Sequence, residues 1–220
     1  MLLVVFMLLR ESGSPSGHGF SARVVGKAYL SLLANRDFIG YVMLVGFAIA
    51  GFILLFAGAP FVFQKYLKMT PDQYGLWFMI ACLGYPIGSI WSRRLLKKNM
   101  PLRRLGLLGV GLTALGNGVG ALLTYYLGPV LYVAVSCNIV FSLGLGLCAT
   151  VGRGGAMASI HTNIGFASWL MGFLMVVTGS VINALGSRLQ LVENHHVALA
   201  MLGCSCLSFL ALNMVRKNQS

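Results

Sequence analysis

Acidic residues are nearly absent from this chain. Four occur in 220 residues (Glu11, Asp37, Asp72 and Glu193), and none lies inside a long apolar run. Charged residues of both signs make up 9% of the sequence, where a soluble domain carries about a quarter. A chain so poor in charge lacks the polar surface to hold a folded body in water, which argues against a soluble enzyme or binding module. Metal-binding histidine pairs, a lysine-bearing glycine-rich phosphate loop and a serine–histidine–acid set are all missing from the apolar runs. No catalytic residue, metal ligand or cofactor is therefore assigned. The five cysteines (Cys82, Cys137, Cys148, Cys204 and Cys206) lie in apolar runs with no acid or histidine at ligand spacing. They read as small packing residues, neither disulfides nor metal ligands.

What is present is apolar. Hydrophobic residues account for 58% of the chain and the mean hydropathy is +0.84. The 28 glycines suit close helix packing. The class expected is an all-α polytopic membrane protein. Six runs are long enough to cross a bilayer, which takes about 20 residues each: 38–64, 74–92, 105–127, 130–151, 156–186 and 197–215.

The segments between these runs follow local rules. Residues 1–9 are apolar but too short to span, and read as the tail of a truncated transmembrane helix rather than a signal peptide, since no base precedes them. Residues 10–37 form a connector. Its first part is rich in Ser, Gly and Pro, and its second part repeats Val25, Tyr29, Leu32 and Leu33 at helical spacing. That pattern predicts an amphipathic helix on the membrane surface. Gly58-Ala59-Pro60 is expected to kink or end the first span. Thr70-Pro71-Asp72-Gln73 has the form of a capping box, with Thr as N-cap, Pro at N1 and Gln at N3. Gly152-Arg153-Gly154-Gly155 is expected to be a turn. With no strand before it, it does not read as a phosphate loop.

Net charge is +12, and its distribution carries the topology rather than nucleic-acid binding. Gly88 to Leu105 holds six of the sixteen bases, Arg93, Arg94, Lys97, Lys98, Arg103 and Arg104, with no acid among them. Such a short basic loop between apolar spans is held in the cytoplasm. Counting crossings from it assigns thirteen bases to cytoplasmic segments and three, Lys65, Lys68 and Arg188, to outer ones. Both ends of the six-span body (38–215) are then cytoplasmic, with 216–220 as a tail.

Three stretches resemble one family. Leu33-Ala34-Asn35-Arg36-Asp37-Phe38-Ile39-Gly40-Tyr41 resembles the entry to helix seven of the bicyclomycin-resistance drug/proton antiporters, a subfamily of the major facilitator superfamily. Gly58-Ala59-Pro60-Phe61-Val62-Phe63-Gln64, followed by Thr70-Pro71-Asp72-Gln73-Tyr74-Gly75-Leu76-Trp77-Phe78, is similar to that family's passage from helix seven to helix eight. Gly165-Phe166-Ala167-Ser168 and Gly172-Phe173-Leu174 are similar to its helix eleven, with Trp169 where a small residue is usual. The resemblance implies the C-terminal six-helix half of a twelve-helix carrier. It also implies efflux of small lipophilic molecules by proton antiport in a bacterial inner membrane, and hence antibiotic resistance.

The partners implied are the lipid bilayer, a lipophilic substrate, and an N-terminal half that supplies the proton-coupling acid. A homodimeric six-helix carrier or pore and a non-transporting accessory protein or remnant remain alternatives. The candidate cavity residues are Phe52, Phe56, Asn138, Asn163 and Trp169. Asn117, on a helix that the resemblance places outside, is a poorer candidate. Gly165, Gly172, Gly179 and Gly186 recur every seven residues on one helix face and are candidates for helix packing, within this bundle or against the other half. His161 reads as an interfacial residue rather than a proton relay, because no acid is near it in sequence.

Overall fold

The computed structural model describes residues 22–65, 68–128, 130–160, 164–188 and 194–215. The terminal segment 1–9, Asn163 and His161 lie outside them. Among the described residues the protein is all-helical: α1 (Ala22–Ala34), α2 (Arg36–Lys65), α3 (Pro71–Cys82), α4 (Gly84–Lys97), α5 (Leu102–Leu127), α6 (Leu131–Ala158), α7 (Ile164–Arg188) and α8 (Asn194–Met214). Five stretches are long and apolar enough to cross a membrane: 36–58, 71–97, 102–127, 131–158 and 164–186. The sixth expected span is α8, whose apolar stretch, Leu199–Met214, is shorter. This is a polytopic membrane protein.

The expected amphipathic helix forms as α1. Ala28 and Leu32 are its buried residues, and Tyr29 packs edge-on against Phe166 of α7 with ring centroids 5.6 Å apart. Leu33, expected on the same stripe, is instead exposed. Asn35 then joins α1 to α2. Its Oδ1 accepts from the amides of Asp37 and Phe38 (3.1 and 3.2 Å), capping α2. Its Nδ2 donates to the Ser159 carbonyl at 3.2 Å, bringing the start of α2 to the end of α6. Arg103 donates to Asn213 Oδ1 at 3.0 Å, bringing the start of α5 to the end of α8. The helices therefore alternate in direction, and one end of the bundle, here called the basic end, carries the Arg93–Arg104 loop.

Three boundaries depart from expectation. The capping box at Thr70–Gln73 forms as predicted, but the span it opens breaks at Leu83 into α3 and α4. Pro86 explains the position, because its ring collides with the carbonyl four residues earlier, at Cys82. Pro60 does not stop α2, which runs on to Lys65. The predicted turn at Gly152–Gly155 is not a turn. α6 continues as a helix to Ala158, and the next helix begins only at Ile164. Those glycines serve packing: a Cβ at Gly155 would lie 2.6 Å from the Tyr41 ring, and one at Gly152 would lie 2.8 Å from the Tyr41 carbonyl oxygen.

Glycine contacts of this kind set the architecture, with α6 as the axis. On one side, Gly84 and Gly88 of α4 meet the Ile139 and Leu143 carbonyls of α6, and Gly146 of α6 meets the Tyr85 carbonyl of α4. On another side, a Cβ at Gly116 of α5 would stand 2.7 Å from the Phe141 amide nitrogen and 2.8 Å from the Cys137 carbonyl oxygen. A Cβ at Gly144 would stand 2.6 Å from the Gly109 carbonyl oxygen. The bare glycine faces bring the helix backbones into contact, as membrane helices require when lipid is as apolar as leucine. α2 occupies the third side of α6 and also packs on α7 and α8. It is the most enclosed span, 61% buried in its most apolar window, against 22% for α3–α4 and for α7.

This arrangement predicts a selective glycine pattern. Gly88→Ala should overpack the α4–α6 crossing and destabilise the protein by about 1–3 kcal/mol. Gly111→Ala, whose Cβ meets nothing within 4 Å, should leave stability unchanged. Thermal melts of the purified chain in mild detergent read both.

Candidate functional site

The aromatic residues proposed for a cavity fall in two places. Phe52 and Phe56 of α2 meet Phe78 of α3, with centroids 6.3 and 5.5 Å away, and Phe78 also meets Tyr74 at 5.6 Å. The four rings form one cluster between α2 and α3. Phe56 is 58% exposed, so the cluster presents an open aromatic edge. Tyr74 and Phe78 were not singled out in the sequence. Their i, i+4 spacing on the helix opened by the Thr70 cap is the signal that places both on one face.

Trp169 is elsewhere. It stacks on Phe173 of α7, with planes 3° apart and centroids 6.1 Å apart, and is 68% exposed. It borders a shallow groove with Tyr29, Gly165 and Phe166, where α1 meets α7. Phe56 lies twenty residues into α2, about 30 Å along that axis from the basic end. Trp169 is only five residues into α7, about 8 Å from the same end. The structure therefore does not bring Trp169 to Phe52 and Phe56.

The asparagines divide by partner. Asn117 of α5 is buried and donates to Ser205 Oγ of α8 at 3.2 Å. It ties two helices together, in keeping with its lower rank as a cavity residue. Asn138 of α6 is half-buried and has no hydrogen-bond partner among the described residues. It stands seven residues before Leu145 and fourteen before Gly152, so it continues the stripe on which α6 meets α2. The structure leaves Asn138 polar and unpaired on a helix shared by the aromatic cluster's neighbours.

The heptad of glycines on α7 is split. Gly165 and Gly172 are exposed, and a Cβ on either would meet nothing within 4 Å. Gly179 and Gly186 are buried, and a Cβ at Gly179 would touch the Ile53 side chain 2.5 Å away. The far half of the stripe packs inside the bundle, and the half nearer the basic end is bare. Beside it Ile164, Trp169, Phe173, Val176 and Val181 form a continuous exposed apolar face. Across the bundle Leu76, Met79, Leu83, Ile87, Ile90 and Trp91 form another on α3–α4. The packing glycines Gly84, Gly88 and Gly146 were missed in the sequence, although Gly84 and Gly88 carry the GxxxG spacing that admits close helix packing.

No acid lies on the membrane-embedded part of any described helix. Asp37 stands at the start of α2 and Asp72 at the start of α3. No cluster of metal-binding side chains occurs among the described residues.

No family model matches the chain. Over 194 residues it is 28% identical to a protein of Bacillus subtilis (strain 168) named as an uncharacterized MFS-type transporter, YdgK. The match takes in 84% of this chain and 46% of that one. The chain thus spans less than half the length of that relative. This likeness is in keeping with the broader part of the resemblance, the major facilitator superfamily.

The two asparagines give opposite expectations. Asn117→Ala should cost stability by about 0.6–1.7 kcal/mol, the range for hydrogen bonds between membrane helices. Asn138→Ala should leave the melting temperature in place, because no bond within the bundle is lost. An equal loss in both would show that Asn138 is structural.

Proposed function

We propose that this chain is the C-terminal half of a major facilitator carrier that exports small lipophilic molecules in exchange for protons across a bacterial inner membrane. The observation that carries the reading is the pair of open apolar faces on α3–α4 and α7. Both flank the well-packed α2–α6 centre, in a chain that matches less than half of a transporter's length. A face of stacked and branched apolar side chains suits either lipid or another helical half. Bare Gly165 and Gly172 suit close approach of a second helix more than they suit lipid chains.

In this reading the aromatic edge of Phe52, Phe56 and Phe78 and the amide of Asn138, which has no partner among the described residues, form one wall of a cavity on the side away from the basic end. A flat lipophilic cation would stack on the rings, while the amide orients a polar substituent. Proton coupling needs an ionisable group in the membrane. The described spans of this chain offer no carboxylate, so the coupling acid belongs to the other half. The two halves would rock about the shared cavity.

Ethidium accumulation in energised cells tests the proposal. The chain expressed with the N-terminal half of its relative should lower intracellular ethidium, and a protonophore should abolish the effect. Phe56→Ala should then weaken efflux by roughly two- to tenfold, the worth of one aromatic contact. Ethidium levels equal to those of cells carrying either piece alone would overturn the reading.

A further inference from the structure

The basic end holds a second polar site, distinct from the aromatic wall. A pocket of about 470 Å³ opens between α4 and α6, lined by Tyr85, Pro86, Ser89, Ile90 and Arg93 on one side and Ala149, Thr150 and Arg153 on the other. The helices touch at Gly88 and Gly146, and the pocket opens beside that contact. Arg93 follows Ser89 by four residues and Arg153 follows Thr150 by three, so each base stands one turn past its hydroxyl on the same helix face.

The polar groups have unequal freedom. Ser89 Oγ and Thr150 Oγ1 both donate to the Gly146 carbonyl, at 3.5 and 3.0 Å, and so close the floor. Neither Arg93 nor Arg153 has a hydrogen-bond or ion-pair partner among the described residues, whereas Arg103 in the same basic loop is held by Asn213. No acid lines the pocket. Two guanidinium groups from helices sixty residues apart in sequence thus border one cleft with their donors unspent. Guanidinium matches a phosphate in geometry as well as in charge.

The order along the pocket indicates which phosphate. Along α4 the lining runs Tyr85, Pro86, Ser89, Ile90 and Arg93, and along α6 it runs Ala149, Thr150 and Arg153, so both helices begin apolar, carry a hydroxyl and end in a guanidinium at the edge. From Tyr85 to Arg93 is eight residues, about 12 Å of helix. That sequence of apolar wall, hydroxyl and cation follows a phospholipid from acyl chain through glycerol to headgroup. We infer that the α4–α6 cleft binds the phosphate headgroup of an anionic phospholipid through Arg93 and Arg153. A soluble phosphate would need the two guanidiniums alone and would make no use of the apolar wall.

Native mass spectrometry of the purified chain, released from nanodiscs of mixed phosphatidylglycerol and phosphatidylcholine, tests this. The wild-type chain should retain phosphatidylglycerol over phosphatidylcholine by roughly tenfold, a preference that generic surface attraction could also produce and that the variants below separate from binding in the cleft. The double variant Arg93→Gln/Arg153→Gln should lose that preference. Arg94→Gln/Lys97→Gln, which removes the same charge from the same loop away from the cleft, should keep it. Equal retention of both lipids by the wild-type chain would overturn the inference without recourse to any variant. So would equal loss in the two double variants, since attraction would then be generic. Displacement of the lipid by millimolar inorganic phosphate would reassign the cleft to a soluble anion and also overturn it. None of these outcomes depends on transport.

Discussion

The bundle depends on one constraint: helices in a bilayer gain little from hiding apolar surface from one another. Lipid tails cover leucine as well as another helix does, so association rests on close backbone contact and a few hydrogen bonds. α6 meets that constraint on three sides. Gly88 and Gly146 admit α4, Gly116 and Gly144 admit α5, and Gly152 and Gly155 admit Tyr41 and Val45 of α2. At each place a carbonyl, an amide or an aromatic ring occupies the volume that a Cβ would need. A side chain at any one of them must push a neighbouring backbone away.

Away from these contacts the outer faces of the helices stand open. α7 packs mainly on α2, and its apolar window is as little enclosed as that of α3–α4. The firm part of the fold is therefore the α2, α4, α5, α6 and α8 group, with α3 and α7 seated on its flanks. Carriers that alternate between two states need a firm unit and surfaces that slide. In the proposed reading this chain divides those roles along the same line, with firm contacts through glycine and open faces awaiting a partner.

The sequence made the spans legible because their signals are local. Long uncharged runs, the Thr70 capping box and the amphipathic repeat of α1 each need only a few neighbouring residues to be read. The glycine run at 152–155 misled for the same reason. Three glycines around an arginine have the composition of a turn, and only the approach of Tyr41, more than a hundred residues earlier, shows that Gly152 and Gly155 are a packing face, while Gly154 faces open space. Pro86 was visible, but the break it imposes falls four residues upstream, at the carbonyl it displaces. In the candidate site, the residue types were legible and their grouping was not. Phe52 and Phe56 do join a cluster, while Trp169 belongs near the opposite end, because depth in the membrane depends on where each helix starts.

Polar groups show the same division between a settled interior and an active rim. Thr113, Ser205 and Ser208 are buried, and each donates to a carbonyl three or four residues back on its own helix. Ser208 also reaches the Leu44 carbonyl at 3.3 Å, and Asn117 reaches Ser205. Ser92 Oγ is a buried exception, without a partner among the described residues. Among the described residues, further unspent hydrogen-bonding capacity lies in half-buried Asn138 of α6 and in Arg93, Arg153 and the Arg103 Nε at the basic end. An interior whose hydroxyls are satisfied by their own helix has nothing left with which to recognise a ligand. In the proposed readings, recognition is accordingly placed at surfaces that lipid or a second bundle of helices would meet.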